Sequence, residues 1–291
     1  MRILLATRGL SRDQALLRLG AYLARGSQDP MIVLTVIEDQ AQMSWAQGIL
    51  ESACRLLEGI PRVETKIRIG HAALEVIQEA HESHCDLVIV GERQNPNLLA
   101  RFLSGSTTIR IVEHAPCPVM VAKGKVGPIC RILLCDSGAE GPLGDLVRRG
   151  GATPSAPAAA PLLARFTAQL ADFLQGEEEI TVLHIMSQIS AAPGVKGTQL
   201  RAAAEDLIQE RTPEGELLQR DVQLLSRPGV RVRPKVRHGL VLDEILKEAQ
   251  EGDYDLVVIG AHRGAGWQRV LLDDLAHKIL VQLDRPVLVI R

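Results

Sequence analysis

The sequence predicts an α/β protein with two repeated, open, parallel five-stranded sheets that carry helices on both faces. Short apolar strand patterns alternate with amphipathic helix patterns along the chain, which is typical of βαβ units. The same order of strands and helices occurs twice, so the chain is an internal repeat. Aromatic residues make up only 2% of the chain, so the cores must be built from aliphatic side chains, as in helix-covered parallel sheets.

The first half predicts five strands and four helices in alternation. Each strand is a short run of aliphatic and β-branched residues, and each helix carries apolar residues at helical spacing, as Ile111, Val112 and Ala115 do in the last one. The predicted elements are strand 2–7, helix 11–25, strand 31–37, helix 41–58, strand 63–69, helix 71–83, strand 86–91, helix 105–115 and strand 118–122.

The second half repeats this order with longer connections. The motif Asp-Leu-Val-x-x-Gly at 86–91 returns at 255–260, and Pro-Val-x-Val at 118–121 returns at 286–289. We predict a domain boundary near 124–127, with domains 1–125 and 126–291. The segment at about 139–161 is rich in Gly, Pro and Ala and predicts a mobile loop. Further strand signals pair 3–5 with 132–134, and 33–36 with 182–185.

Composition and charge exclude several classes of protein. Apolar residues make up 46% and charged residues 23% of the chain, which predicts a folded protein. The 33 basic and 35 acidic residues give a net charge of -2, which does not fit the basic surface of a nucleic-acid or membrane-surface binder. No apolar run is long enough to span a bilayer, and no signal-peptide pattern is present. We therefore expect a cytoplasmic protein with neither nucleic-acid nor membrane partners.

The cysteines and the motif inventory do not indicate an enzyme. The five cysteines form no C-x-x-C pair, so we interpret them as buried, reduced thiols. The sequence contains no Walker loop, no G-x-S-x-G elbow and no metal-spaced cluster of His and Glu. We expect no metal site and at most weak ATP hydrolysis.

The repeated motifs resemble the universal stress protein family in its tandem two-domain form. The resemblance is carried by the Asp-Leu-Val-x-x-Gly strand, the Gly-Ala-His turn at 260–262 and the Pro-Val-x-Val strand. It implies a strand order of 3-2-1-4-5 in each half and, in many members, an ATP site. It also implies pairing through strand 5, so we predict that 118–122 and 286–290 pair within the chain as a pseudo-dimer. A homodimer of the whole chain is a further prediction.

The family's ATP motif is partly present in the first half. Members that bind ATP show Gly-x2-Gly-x9-Gly-Ser/Thr, in which glycines let the backbone approach the phosphates and Gly-Ser opens a helix. Gly91 starts this motif, Gln94 replaces its second glycine, and Gly105-Ser106 follows after one extra residue. The resemblance implies a nucleotide site at the ends of strands 1, 2 and 4 and the start of the next helix: Ala6, Thr7, Val36, Val90, Gly91, Arg93, Gly105, Ser106 and Thr107.

The motif is more degenerate in the second half. Arg263 stands at the second glycine, and Asp273-Asp274 stand where Gly-Ser belongs. We expect these two carboxylates to cap the last helix and to repel a triphosphate. The family's aspartate at the end of strand 1 is present here as Asp136, whereas the first half has Thr7. The resemblance implies a second candidate site at Asp136, Ser137, Ile185, Gly260 and His262.

Two functions follow from these motifs. The first is a non-enzymatic stress-response or regulatory protein that binds an adenine nucleotide, ATP or AMP, in at least one half, with Mg²⁺ entering only with the nucleotide. The alternative is a scaffold or protein-interaction module whose nucleotide pockets have decayed, which the missing glycines favour.

Overall fold

A computed structural model of the chain describes residues 1–92, 107–124, 126–136, 162–174, 178–186, 202–260 and 267–291. Contacts divide the chain into two compact units. The first comprises Met1–Pro128 with Leu283–Val289, and the second comprises Ile129–Gln282 with Ile290–Arg291. The division into domains 1–125 and 126–291 stays a prediction, and the loop at about 139–161 lies outside the described residues.

The first unit contains a parallel sheet of five strands in the order β3-β2-β1-β4-β5, which confirms the predicted order for this half. The strands are β1 (Ile3–Ala6), β2 (Met31–Ile37), β3 (Val63–Ile69), β4 (Leu87–Gly91) and β5 (Val119–Ala122). The described helices are α1 (Leu10–Ala24), α2 (Met43–Leu56), α3 (Ala72–Glu82) and α4 (Thr107–His114), and a 3₁₀ turn at Gln40–Gln42 precedes α2.

The second unit repeats the same α/β arrangement. Its parallel strands have the order β9-β6-β7-β8, which is the 4-1-2-3 part of the predicted order. The strands are β6 (Arg131–Cys135), β7 (Glu179–Met186), β8 (Arg231–His238) and β9 (Leu256–Gly260). The described helices are α5 (Leu162–Phe173), α6 (Ala204–Gln209), α7 (Pro213–Leu225), α8 (Val241–Glu251) and α9 (Trp267–Gln282).

The strand β10 (Val287–Ile290) pairs antiparallel with β5. Val287 lies opposite Val121, and Val289 lies opposite Val119. Because residues 283–289 belong to the first unit, its sheet has a sixth strand that comes from a distant part of the sequence. This pairing satisfies backbone groups at the edge of β5. That it makes the two halves a pseudo-dimer stays a prediction.

The core follows from the aliphatic composition. The inner strands are buried on both faces: every residue of β5, and all of β4 except Gly91, is buried. The strands β3 and β8 lie farthest from β4 and β9 in their units and carry exposed and half-buried residues. Among the described residues, no helix is long and apolar enough to cross a membrane.

Two expectations are corrected by the structure. Asp273 and Asp274 lie inside α9, which begins at Trp267, so they do not cap its start. The sequence from Trp267 onward has no glycine or proline that would delay the helix. All five cysteines were expected to be buried, but Cys130, in the segment before β6, is exposed and Cys54 and Cys117 are half-buried, whereas Cys85 and Cys135 are buried as expected.

Candidate functional site

A cavity of about 1270 Å³ opens at the carboxyl ends of β1, β2 and β4 in the first unit. The strand order changes direction between β1 and β4, and open α/β sheets bind ligands at this kind of point. Ligand pockets commonly have volumes of about 300 to 1,000 Å³, so the cavity is large enough for a nucleotide. The helices α2, α3 and α4 contribute the other walls.

The cavity brings together most of the first-half residues that the sequence singled out. Arg93, Gly105 and Ser106 lie outside the described residues, as does Gln94. The remaining six come from three strand ends and the start of α4, although their binding role stays a prediction. The six that line the cavity are Ala6, Thr7, Val36, Val90, Gly91 and Thr107.

A buried carboxylate that the sequence analysis missed holds the backbone after β1. Asp13 lies in the first turn of α1 and is 2% exposed. Its Oδ2 accepts hydrogen bonds from Thr7 Oγ1 at 3.1 Å and from the backbone N–H of Arg8 at 2.5 Å. The backbone N–H of Gly9 donates in turn to Thr7 Oγ1 at 3.2 Å. Asp13 therefore fixes residues 7–9, which line the cavity.

The local backbone of α1 brings this carboxylate to the end of β1. Asp13 has φ -120° and ψ 25°, which interrupts the regular helix. A kink of this kind has an identifiable local cause, here a side chain that bonds the residues preceding the helix. In this half, Thr7 stands at the position where the family has an aspartate at the end of strand 1. Asp13 supplies a carboxylate beside Thr7 from α1 instead.

Gly91 packs against the second oxygen of the same carboxylate. A Cβ at Gly91 would lie 2.8 Å from Asp13 Oδ1, which is closer than real Cβ contacts. This oxygen is buried and has no hydrogen-bond partner in the described part of the chain. Thr108 Oγ1 of α4 donates to the carbonyl of Gly91 at 3.2 Å. The absence of a side chain at Gly91 is therefore required by Asp13, apart from any ligand.

The corresponding end of the second unit holds a buried polar cluster. Asp136 follows β6 and is 7% exposed, and Asp221 of α7 is 0% exposed. Arg220 Nη2 lies 3.1 Å from Asp221 Oδ1 and 3.6 Å from Asp136 Oδ2. Burial, together with the hydrogen bond to Asp136, raises the pKa of Asp221 to about 8. Asp221 therefore keeps its proton at neutral pH beside Asp136.

His184 of β7 completes this cluster. Its Nδ1 lies 3.2 Å from the backbone carbonyl of Asp136, so this nitrogen carries the proton and donates. Burial lowers the pKa of His184, which favours the neutral ring. The first unit has the same contact with another side chain, because Thr35 Oγ1 donates to the carbonyl of Thr7 at 3.3 Å.

The other second-half candidates lie at neighbouring strand ends or are not described. Ile185 is half-buried near the end of β7, and Gly260 ends β9. A Cβ at Gly260 would meet the Leu163 side chain of α5 at 3.7 Å, an ordinary packing distance. Ser137 and His262 lie outside the described residues. Within the described ranges, no three His, Cys, Asp or Glu side chains are placed to hold a metal ion.

Comparison with known proteins agrees with this architecture. The profile of the universal stress protein family matches residues 1–123 and 156–291. A Staphylococcus aureus (strain USA300) protein that carries the universal stress protein name is 36% identical over 66 residues, which are 22% of this chain and 39% of that relative. The chain therefore spans about two fifths of the length of this curated relative.

Solved structures show the same fold over the whole chain. A universal stress protein from Archaeoglobus fulgidus DSM 4304 superposes with a TM-score of 0.66 at 16% identity, covering 100% of this chain and 96% of that one. One from Pseudomonas aeruginosa UCBPP-PA14 gives a TM-score of 0.66 at 17% identity, covering 99% and 92%. With the repeat, the strand order and the two matched segments, the chain belongs to the universal stress protein family.

Proposed function

We propose that this chain is a non-enzymatic regulatory or stress-response protein of the cytoplasm that binds one adenine nucleotide, ATP or AMP, in the cavity of the first unit. The observation that carries the proposal is the convergence of six expected residues, from β1, β2, β4 and α4, on one cavity. Membership of the family supplies adenine as the expected base. Mg²⁺ would enter only together with the nucleotide.

The two units differ in how well they suit an anionic ligand. In the second unit, Asp136 and Asp221 already occupy the end of β6 with Arg220, so a phosphate there would meet a carboxylate whose guanidinium partner is already engaged. In the first unit, the Asp13 carboxylate accepts hydrogen bonds from Thr7 and from the backbone of Arg8, while the exposed side chains of Arg8 and Glu38 both line the cavity and Arg8 offers the cationic partner. A phosphate near a carboxylate is repelled by several kcal/mol at short range, which supports one nucleotide per chain.

Calorimetric titration with ATP, ADP and AMP, with and without Mg²⁺, tests this proposal. We expect one site per chain. Val36 and Ile185 occupy matching positions of β2 and β7 and are both half-buried, which provides a matched pair of variants. Val36→Glu should weaken binding at least tenfold by placing a carboxylate in the cavity, whereas Ile185→Glu should not. Absence of binding at millimolar nucleotide, or loss only in Ile185→Glu, would overturn the assignment.

A second candidate function is a scaffold in which the chain's own contacts have replaced nucleotide binding. The cluster of Asp136, Asp221 and His184 favours it, because polar side chains of the protein occupy the end of β6. Under this alternative, neither unit binds a nucleotide.

Expression of residues 1–125 and 126–291 as separate chains would test the pseudo-dimer, since the two pieces should then associate.

A further inference from the structure

The cavity has an aromatic side chain at its wall that the sequence analysis did not single out. Trp45 of α2 is 54% exposed and lines the cavity. The chain has only two tryptophans, and leaving a large aromatic surface in water is unfavourable. The buried face of α2 carries Ala46, Ile49, Leu50 and Ala53, and Trp45 lies at the edge of this face, one turn before Ile49.

Gly48 lies one turn farther along the same face of α2. Trp45, Gly48 and Ser52 have the spacing i, i+3, i+7, and all three line the cavity. Glycine inside a helix is unfavourable by about 1 kcal/mol relative to alanine. A Cβ at Gly48 would meet no atom within 4 Å, so packing within the chain does not require glycine there. The position leaves free space beside Trp45 on the cavity wall.

Aliphatic side chains line part of the cavity, together with polar ones such as Gln42 and His71. Ile49 of α2, Val36 of β2 and Val76 of α3 line the same cavity. An aromatic face, an adjacent gap and aliphatic side chains are suited to a flat ring and offer nothing to a phosphate group. The hydroxyl groups of Thr107 and Thr108, at the start of α4, are suited to hydrogen bonds with the polar part of a ligand.

We propose that the cavity face of α2 is the base subsite, in which the base of a nucleotide stacks on Trp45 and lies over Gly48. This inference rests on the proposed function and extends it to the part of the ligand that α2 contacts. Stacking recognises the π-face that every base has, so this subsite contributes affinity for purines in general and does not itself select adenine over guanine.

The first test compares a ligand that has a base with one that lacks it. Calorimetry is run with AMP and with ribose 5-phosphate on the wild type, Trp45→Ala and Trp45→Phe. We expect Trp45→Ala to weaken AMP about 5- to 100-fold and to leave ribose 5-phosphate unchanged, while Trp45→Phe retains most of the affinity. In the Trp267→Phe background, AMP should also quench the fluorescence of Trp45, and ribose 5-phosphate should not.

The second test uses Gly48, where stability and binding should change in opposite directions. Gly48→Ala should raise the Tm by about 2 to 4 °C, because alanine favours the helix and its methyl group meets no atom, and it should weaken AMP binding. Gln47→Ala is the matched control, since Gln47 is exposed on α2 and does not line the cavity. It should leave AMP binding unchanged.

The outcomes separate this inference from the proposed function. If the wild type binds no AMP, the proposed function fails and the inference fails with it. If AMP binds and both Trp45→Ala and Gly48→Ala leave its affinity unchanged, only the base subsite is overturned. Equal weakening of AMP and ribose 5-phosphate in Trp45→Ala would also overturn it, because Trp45 would then support the cavity as a whole.

Discussion

The two halves keep one polar network almost unchanged and differ at the carboxyl ends of β1 and β6. On β3 and α3, two basic residues pair with three glutamates, and the same five positions recur on β8 and α8. The matching sets are Lys66, Arg68, Glu75, Glu79 and Glu82, and Lys235, Arg237, Glu244, Glu248 and Glu251.

The centre of each network is a buried glutamate. Glu79 Oε1 lies 2.6 Å from Lys66 Nζ, and Glu79 Oε2 lies 2.7 Å from Arg68 Nη1. Burial alone would raise the pKa of Glu79, but hydrogen bonds from Lys66, Ser83 and Arg68 outweigh it and lower the pKa to about 2. The pKa of Glu248 is lowered in the same way, against its burial, by Lys235 and other donors.

The networks differ in one hydrogen-bond donor. Ser83 Oγ donates to Glu79 Oε1, whereas Tyr254 Oη donates to Glu248 Oε1 at 2.7 Å. Both central glutamates therefore accept a hydrogen bond from a hydroxyl group, although that group comes from different positions in the two halves. A buried charge must keep its partners, which restricts change in these networks. At the ends of β1 and β6, by contrast, the neutral Thr7 and the acidic Asp136 each find partners of their own.

The largest expected difference between the halves is pH dependence in the second. The pKa of Asp221 rises from its ordinary value of 3.8 to about 8, so this carboxyl stabilises the fold while it is protonated. Its contribution is complete below about pH 4 and is lost as the pH rises through about 8. We expect the free energy of unfolding to fall over this range, and Asp221→Asn, which cannot ionise, to remove that fall.

Urea unfolding at pH 5 and pH 9 measures this effect as the difference between wild type and Asp221→Asn. Glu82→Gln serves as the control, because Glu82 is 50% exposed and lies in the first unit. Equal pH dependence in the wild type and in Asp221→Asn would contradict the assignment of the proton to Asp221.

Removing either central glutamate should cost about 3 to 5 kcal/mol, because the basic partners are left without their buried counterion. We expect similar losses for Glu79→Ala and Glu248→Ala in urea unfolding. Glu82→Ala and Glu251→Ala remove glutamates that are 50% and 54% exposed, so each should cost less than about 1 kcal/mol. If one central glutamate proves dispensable, the two networks are not equivalent.

A double-mutant cycle at Asp13 and Gly91 tests a contact of the first half. Gly91→Ala should destabilise the wild type by about 1 to 3 kcal/mol, because its Cβ would lie 2.8 Å from Asp13 Oδ1. In the Asp13→Ala background that oxygen is absent, and the same change should cost clearly less. Chemical denaturation of the four proteins gives the coupling energy. Additive effects would show that Gly91 does not meet this carboxylate.

The smallest expected difference concerns the cysteines and leaves stability unchanged. Burial raises the pKa of Cys85 to about 11 and that of Cys117 to about 12, so both thiols should react slowly. Cys130 is exposed and should be labelled first by iodoacetamide at pH 8, as followed by peptide mass spectrometry. Faster labelling of Cys85 than of Cys130 would show that the sheet of the first unit opens readily.

The strands could be predicted from their apolar patterns and from the repeat, whereas their order was implied by the resemblance to the family. In the first half, the predicted strands 31–37 and 63–69 coincide with β2 and β3. The glutamate networks were also detectable, since Lys66 and Arg68 return as Lys235 and Arg237 together with three glutamates at matching distances.

The polar contacts at the candidate site could not be predicted in the same way. Asp13 reaches Thr7 only because α1 is irregular at Asp13, and a helical pattern does not reveal such an irregularity. Asp221 lies on α7, in the longer connection between β7 and β8, and a helical pattern there does not reveal that Asp221 meets Asp136. The alternation of strands and helices places strand ends together, but which side chains meet there depends on local backbone geometry.

The position of β10 has a consequence for how the protein is made. Every residue of β5 is buried in the finished fold, yet its partner β10 is synthesised only after residues 129–282 of the second unit. During translation, residues 1–128 therefore emerge with the edge of β5 unpaired, which exposes it to other chains. We expect nascent chains that stop before residue 283 to need chaperones most, and a deletion of 283–291 to damage the first half of the protein, far from the cut in sequence.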